Sequence, residues 1–287
     1  MSDFLEQVVA ERRAYVAQAA ASGNQVVAER IDNVASRAAR QPAHDAAWRA
    51  GGDHSDAFTA VLRHQRREGR LGLIAEVKRV SPALGTLAAD VDPARQARLY
   101  ARAGAAAISV LTEPRHWGGS MRDLAAVRKA VPETPILCKD VIVSEFQIEE
   151  ARNAGADAVL LIAEALTDLQ LRRFVELAYT LEMGALVEAH EPLAFGRAVA
   201  CGARVVGVNA RDLRDPRQID VGRVRQLHGF VRADQILVAE SGISSVDDAR
   251  LLPARVDAVL VGTALMTSDD PAPLAHALSH IARPVIA

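Results

Sequence analysis

The sequence predicts an α/β fold, a (β/α)8 TIM barrel carrying an N-terminal helical extension. From about residue 71 onward, eight short apolar runs alternate with amphipathic helical stretches. Continuous apolar runs between helices mark a parallel sheet covered by helices, and eight near-regular units in about 210 residues match a closed barrel. A doubly wound open sheet is the alternative. No G-x-G-x-x-G turn follows the first run, which weakens a dinucleotide-fold reading.

The runs are LGLIAEVK (71–78), AAISVLT (106–112), PILCKD (135–140), DAVLLI (157–162), GALVE (184–188), RVVGVN (204–209), QILVAE (235–240) and DAVLVG (257–262). Between them lie helical patterns at 92–104, 120–131, 144–155 and 169–183. Several open on Asp or Ser in a capping position and close on Gly, as helices prefer. The tripeptides AGA (103–105), AGA (154–156) and CGA (201–203) each turn a helix into the next strand. Residues 1–70 form the extension and 71–287 the barrel. FLEQVVAERRAYVAQAAA and SDAFTAVLRHQRREG read as amphipathic helices, and the intervening QPAHDAAWRAGGDHS is looser. Such helices are expected to pack over one end of the barrel rather than form a separate domain.

Composition bounds the class. The chain has 287 residues, half of them apolar, enough to bury a full core. A net charge of −2 with mixed signs gives no reason to expect a nucleic-acid or membrane partner. Two cysteines far apart make neither a disulfide framework nor a metal site. There is no apolar run of signal or membrane-span length. A cytoplasmic protein is expected, a monomer or weak homodimer.

In such barrels chemistry sits at the C-terminal ends of the strands. Those ends carry Glu76, Lys78 and Ser81; Lys139 and Asp140; Glu188; Asn209 with Arg211; Glu240 and Ser241; and Gly262 with Thr263. Ile74, Glu76 and Lys78 alternate, so on a strand they share one face. Two lysines, three glutamates and an asparagine thus converge on one mouth. In SGIS (241–244) and GTAL (262–265), small residues let backbone N–H groups approach an anion, and the loops after the last two strands are the usual phosphate cradle. The set suggests acid–base chemistry on a phosphorylated small molecule, with a like-charge neighbour lowering a lysine pKa or burial raising that of a glutamate. Each residue also has a plainer reading. The Lys–Glu pairs can be structural, Asp140 can cap the next helix or hold a loop, and Arg211 can pair with Asp212. His116, Trp117 and His190 read as packing residues, and Cys138 should face the helices. No histidine arrangement has metal-ligand character.

Taken together, IAEVKRVSP, ISVLTEPRHWGGS, PILCKD, QIEEARNAGADAVLLI, GALVEAH, VGVNARDL, AESGIS and VLVGTALM resemble the indole-3-glycerol phosphate synthase family over residues 71 to about 270. The resemblance implies ring closure, decarboxylation and dehydration of 1-(2-carboxyphenylamino)-1-deoxyribulose 5-phosphate, a step of tryptophan biosynthesis. It implies Lys139 as general acid at the ketone, Glu188 in the proton transfers of dehydration, and Lys78 as a second acid partnered by Glu76. How the acid roles divide between the lysines is left open. Asn209 would orient substrate and hold Glu188, and Ser241 would add a hydrogen bond. Ser81, Gly242, Gly262 and Thr263 would surround the phosphate, with Arg211 and Glu240 in support. Neither metal nor organic cofactor is implied, because decarboxylation needs no external electron sink.

Three departures touch the pocket wall. Val141 follows Lys139-Asp140 where the family usually has Phe, Ala83 replaces the second Ser of S-P-S, and Trp117 stands where Phe is common. These leave room for a paralogue acting on a substituted anthranilate. Further alternatives are a phosphoribosyl isomerase barrel, a non-catalytic phosphate-ligand barrel, and a Schiff-base enzyme using Lys139 or Lys78.

Overall fold

A computed structural model of the chain describes residues 3–21 and 56–284. The loose stretch expected at 41–55 lies outside the described residues. In chain order the elements are α1 (Phe4–Ala21), α2 (Ala57–Arg67), β1 (Gly72–Val77), a small hairpin of β2 (Val80–Ser81) and β3 (Gly85–Thr86), α3 (Pro93–Arg102), β4 (Ala107–Leu111), α4 (Met121–Ala130), β5 (Ile136–Lys139), α5 (Glu145–Ala154) and β6 (Ala158–Ile162). Then come α6 (Asp168–Thr180), β7 (Gly184–Ala189), α7 (Pro192–Ala200), β8 (Val205–Asn209), α8 (Arg223–Leu227), β9 (Ile236–Glu240), α9 (Val246–Arg250), β10 (Ala258–Val261), α10 (Thr263–Met266) and α11 (Ala272–Ser279).

Leaving out the hairpin, the eight strands close in the order β1-β10-β9-β8-β7-β6-β5-β4. Each pair is parallel, and β1 registers Ala75 on Val261 at one side and Glu76 on Ser109 at the other. The expected eight-stranded barrel is the one found. Helix starts follow local chemistry. Asp92, Ser120 and Ser144 cap α3, α4 and α5 with their side chains, and Thr167 with Gln170 forms a capping box on α6. Gly155 closes α5 in the left-handed region at φ 100°. The pattern read over 169–183 ends sooner, at Thr180, because Glu182 turns left-handed at φ 57°.

The pleat sorts the core into two layers. Leu73, Ala75, Val77, Val110 and Cys138 face the helices, whereas Ile74, Leu137, Leu160, Leu186, Val238 and Leu260 fill the barrel interior. Each such side chain contributes about 1.5–3 kcal/mol by leaving water. The two helices before the barrel cover opposite ends, not one. Phe58 and Leu62 of α2 are fully buried, and Leu62 packs at Gly72, where β1 begins. Helix α1 instead lies across the strands' C-terminal ends, with Phe4 N–H donating to Arg214 O at 3.0 Å. Its buried stripe of Leu5, Val8, Val9 and Arg12 explains the placement: the apolar members meet the mouth, and the arginine meets a carboxylate there. No described helix is long and apolar enough to cross a membrane.

Candidate active site at the barrel mouth

Closure brings the predicted side chains together. Glu76 Oε2 pairs with Lys78 Nζ at 2.7 Å. Lys139 Nζ stands between two carboxylates, 3.9 Å from Glu76 Oε1 and 4.0 Å from Glu188 Oε2. Asn209 Nδ2 approaches Glu188 Oε1 at 3.4 Å. Asn209 Oδ1 accepts from Ser241 Oγ at 2.9 Å and from Arg211 N–H at 3.0 Å. Lys78 Nζ donates to Thr263 Oγ1 at 3.4 Å. One continuous polar network therefore runs from β1 through β5, β7, β8 and β9, and back to the start of α10.

Glycines make this crowding possible. A Cβ at Gly207 would collide with Glu240 Oε1, and one at Gly262 with Glu76 Oε2. Ser241 and Gly242 are both left-handed, at φ 66° and 74°. For serine that backbone is strained, a feature that gathers at functional sites. Ser81 is buried in the β2–β3 hairpin, its carbonyl accepting from Leu84 N–H at 3.2 Å.

The charges are unequal. Burial pushes Glu76 upward, but Lys78 and then Lys139 outweigh it and hold the carboxyl below its usual range. Burial opposes the charge on Lys139, yet Glu188, Glu76 and Glu240 raise it above the ordinary lysine value. The expected lowering of a lysine is thus not found at Lys139, because three carboxylates surround it. Burial, then the neighbouring Glu188, push Glu240 well above the carboxylate range. Neither oxygen of Glu240 nor Glu188 Oε2 has a hydrogen-bond partner while both groups are ionised. A proton on Glu240 removes the repulsion and lets it donate to Glu188. With Glu240 neutral, Lys78, Lys139 and Arg211 outnumber Glu76 and Glu188, and the mouth is suited to an anion.

Several plainer readings are resolved. Asp140 caps no helix, since Ser144 caps α5. Asp140 holds Arg12 of α1 at 3.0 Å and accepts from Thr112 Oγ1 at 2.8 Å. Burial lifts Asp140 to about 6 despite Arg12. Arg211 does not pair with Asp212, which Arg214 takes at 2.8 Å. Arg211 instead donates to Pro216 O and lies close enough to Glu76 to lower that carboxyl's pKa. His116 meets Glu11 of α1 at 2.9 Å, and Trp117 packs edge-on against Phe4. Glu113 fixes their loop by accepting from the N–H groups of Arg115, His116 and Trp117 at 3.0, 2.6 and 3.2 Å. His190 bonds Asn209 O at 2.8 Å. The ligand atoms of His190, Glu191 and Asp212 lie within 4.8 Å of one another, but Arg214 already supplies that cluster's cation.

The sequence reading predicted the helix α1 but not its part in the site. A pocket beside Lys139 and Glu188 is walled by Val141, Trp117 and Leu160 together with Phe4, Leu5 and Val8 of α1. A signal was present. Arg12 falls on the apolar stripe 5, 8, 9, 12, where a charge calls for a buried partner.

A model of the indole-3-glycerol phosphate synthase family matches residues 23–278. An indole-3-glycerol phosphate synthase of a Nocardioides species is 54% identical over 213 residues, covering 73% of this chain and 80% of the relative. One from an Arthrobacter species is 47% identical over 237 residues, covering 82% of each chain. Among solved structures, tryptophan synthase from M. tuberculosis superposes with a TM-score of 0.58 at 15% identity, over 80% of this chain and 99% of that one. A 3-hexulose-6-phosphate synthase gives 0.58 at 18% identity, over 73% and 98%. At those identities the likeness speaks for the barrel alone.

Proposed function

The chain belongs to the indole-3-glycerol phosphate synthase family, and from that premise we propose how its mouth performs ring closure, decarboxylation and dehydration of 1-(2-carboxyphenylamino)-1-deoxyribulose 5-phosphate. The observation that carries the reading is Lys139, an ammonium held between Glu76 and Glu188 without a short ion pair to either.

Held by no short ion pair, its ammonium can turn to the substrate's ketone oxygen and protonate it as the ring carbon bearing the carboxylate attacks the carbonyl carbon. Loss of CO2 then restores the aromatic ring. Dehydration removes the new hydroxyl as water and a proton from the neighbouring methylene. Glu188, oriented by Asn209, serves that proton transfer. Lys78, partnered by Glu76, is the second acid candidate. Burial and Glu188 hold Glu240 toward its protonated form, which limits the negative charge around Glu188, while Arg211 supports the anionic substrate. The phosphate is received by backbone N–H groups at Gly242 and Gly262, with Ser81 and Thr263 beside them. The anthranilate ring lies against Trp117, Val141 and the apolar side of α1. Residues 1–70 are on this reading an extension of one catalytic unit whose barrel is 71–287, and no metal or organic cofactor takes part in the scheme.

The test is turnover of that substrate followed by indole fluorescence, with Lys139→Ala alongside. Turnover by the wild type and its loss in a folded variant support the scheme. An equally active variant would overturn the role given to Lys139.

A further inference from the structure

On the outer wall of the barrel, away from the mouth, α3 and α11 enclose a groove of about 590 Å³. One wall carries Arg95, Arg98 and Arg102, at i, i+3 and i+7 on α3, so all three lie on one stripe. They span about 10 Å along the helix. All three are exposed, and none makes an ion pair or side-chain hydrogen bond with a described residue. Elsewhere several arginines do meet carboxylates. Arg79 meets Asp123, Arg197 meets Asp168, and Arg214 meets both Asp212 and Glu191. The nearest acid in the groove, Asp270, is turned onto its own backbone, accepting from Ala272 N–H at 3.1 Å. Like charges one turn apart repel each other, and among the groove's lining residues Asp270 is the single acid set against three arginines. Between the arginines and the opposite wall, Leu99, Ala103 and Pro273 form an apolar floor.

We propose that this groove is a docking site for an acidic amphipathic helical segment of a partner protein. A third helix laid between two neighbouring helices presents acidic side chains at the same one-turn spacing as the arginines, and its adjoining apolar stripe covers the floor. Arginine is the residue best suited to that role, since its fork grips carboxylates in pairs. A small anion fits less well. Sites for small ligands enclose most of the ligand, whereas this groove lies open along its side. None of its lining residues belongs to the mouth, so occupancy and turnover are separable.

The probe is a fluorescein-labelled peptide of about four helical turns, with Glu at i, i+3 and i+7 and Leu on the adjoining stripe. It is titrated into the full chain by anisotropy. Binding is expected at about 50 mM salt and should weaken at about 300 mM. The triple variant Arg95→Gln, Arg98→Gln, Arg102→Gln should raise Kd roughly tenfold or more, and Leu99→Glu should weaken binding while leaving the arginines in place. Both variants should turn over substrate like the wild type, which keeps the outcome independent of the catalytic scheme. Equal Kd for wild type and triple variant overturns the proposal, as does equal binding of a peptide with the same composition but scrambled Glu positions. Binding of inorganic tripolyphosphate with no binding of the peptide also overturns it, in favour of a small polyanion.

Discussion

The two ends of the barrel treat buried charge in opposite ways. At the N-terminal end Asp257, Asp157 and Asp56 each meet an arginine and a backbone N–H. Asp257 receives Arg255 at 2.6 Å, Arg66 at 3.4 Å and the N–H of Leu237 at 2.7 Å. Asp157 receives Arg128 and the N–H of Ile136, and Asp56 receives Thr59 N–H and Arg204. At the mouth, Lys139 sits at the outer limit of ion pairing with two carboxylates, and Glu240 crowds Glu188. Matched charges staple one strand to the next and leave no capacity for a ligand. Unmatched charges destabilise the empty mouth and are available to whatever enters it, the usual trade between stability and activity.

The contrast is broken most sharply at Lys139. Lys139→Ala should lower kcat by about 10² to 10⁴ while circular dichroism and Tm stay near the wild type; an unchanged kcat would return Lys139 to a structural ion pair. Next comes Arg12→Ala, which leaves Asp140 buried without its cation, a loss on the order of 3–5 kcal/mol. Because Arg12 belongs to α1, the loss should appear as faster hydrogen exchange in 4–21 and a raised KM; unchanged exchange there would show that α1 is held by apolar contacts alone. Arg255→Ala, at the matched end, should cost about 1–3 kcal/mol in Tm with kcat/KM intact, and a selective loss of activity would refute the division of labour. The smallest effect is expected of Glu240→Gln. A carboxyl whose folded pKa is raised favours folding below its unfolded value, near 4.5, and loses that contribution as pH rises through the folded value. The amide does not titrate and can donate to Glu188, so the variant should gain about 1 kcal/mol over the wild type at pH 8 and little at pH 4. A gap that failed to widen with pH would mean that Glu240 is ionised in the folded protein.

The barrel was legible because its signal is local. Period-2 alternation in LIAEVK puts Glu76 and Lys78 on one face before any tertiary contact is known, and strand ends are marked by the capped helices that follow. The convergence of Glu76, Lys78, Lys139, Glu188, Asn209 and Ser241 followed from closure alone. What was not legible depends on partners distant in sequence. Arg12 and Asp140 are 128 positions apart, and the upward push on Glu240 comes from its burial and from Glu188 facing it. Gly262 read as an anion-binding residue and Gly207 drew no reading, yet each leaves space for a carboxylate from another strand. Arg211 and Asp212 are adjacent in sequence, and adjacency suggested a pair; side chains of neighbours diverge on extended backbone, and Arg214, two positions from Asp212, closes the bond instead.

The placement of α1 bears on assembly order. It precedes the barrel in the chain, yet its anchors are Asp140, His116 and Arg214 O, all synthesised long after it. Contacts of such separation form late and slow the search for the native state. The nascent chain therefore completes β5 and β8 before α1 has a seat, and α1 arrives on a scaffold already made. Pulse-labelling during refolding should register protection in 4–21 after protection in β5 and β8.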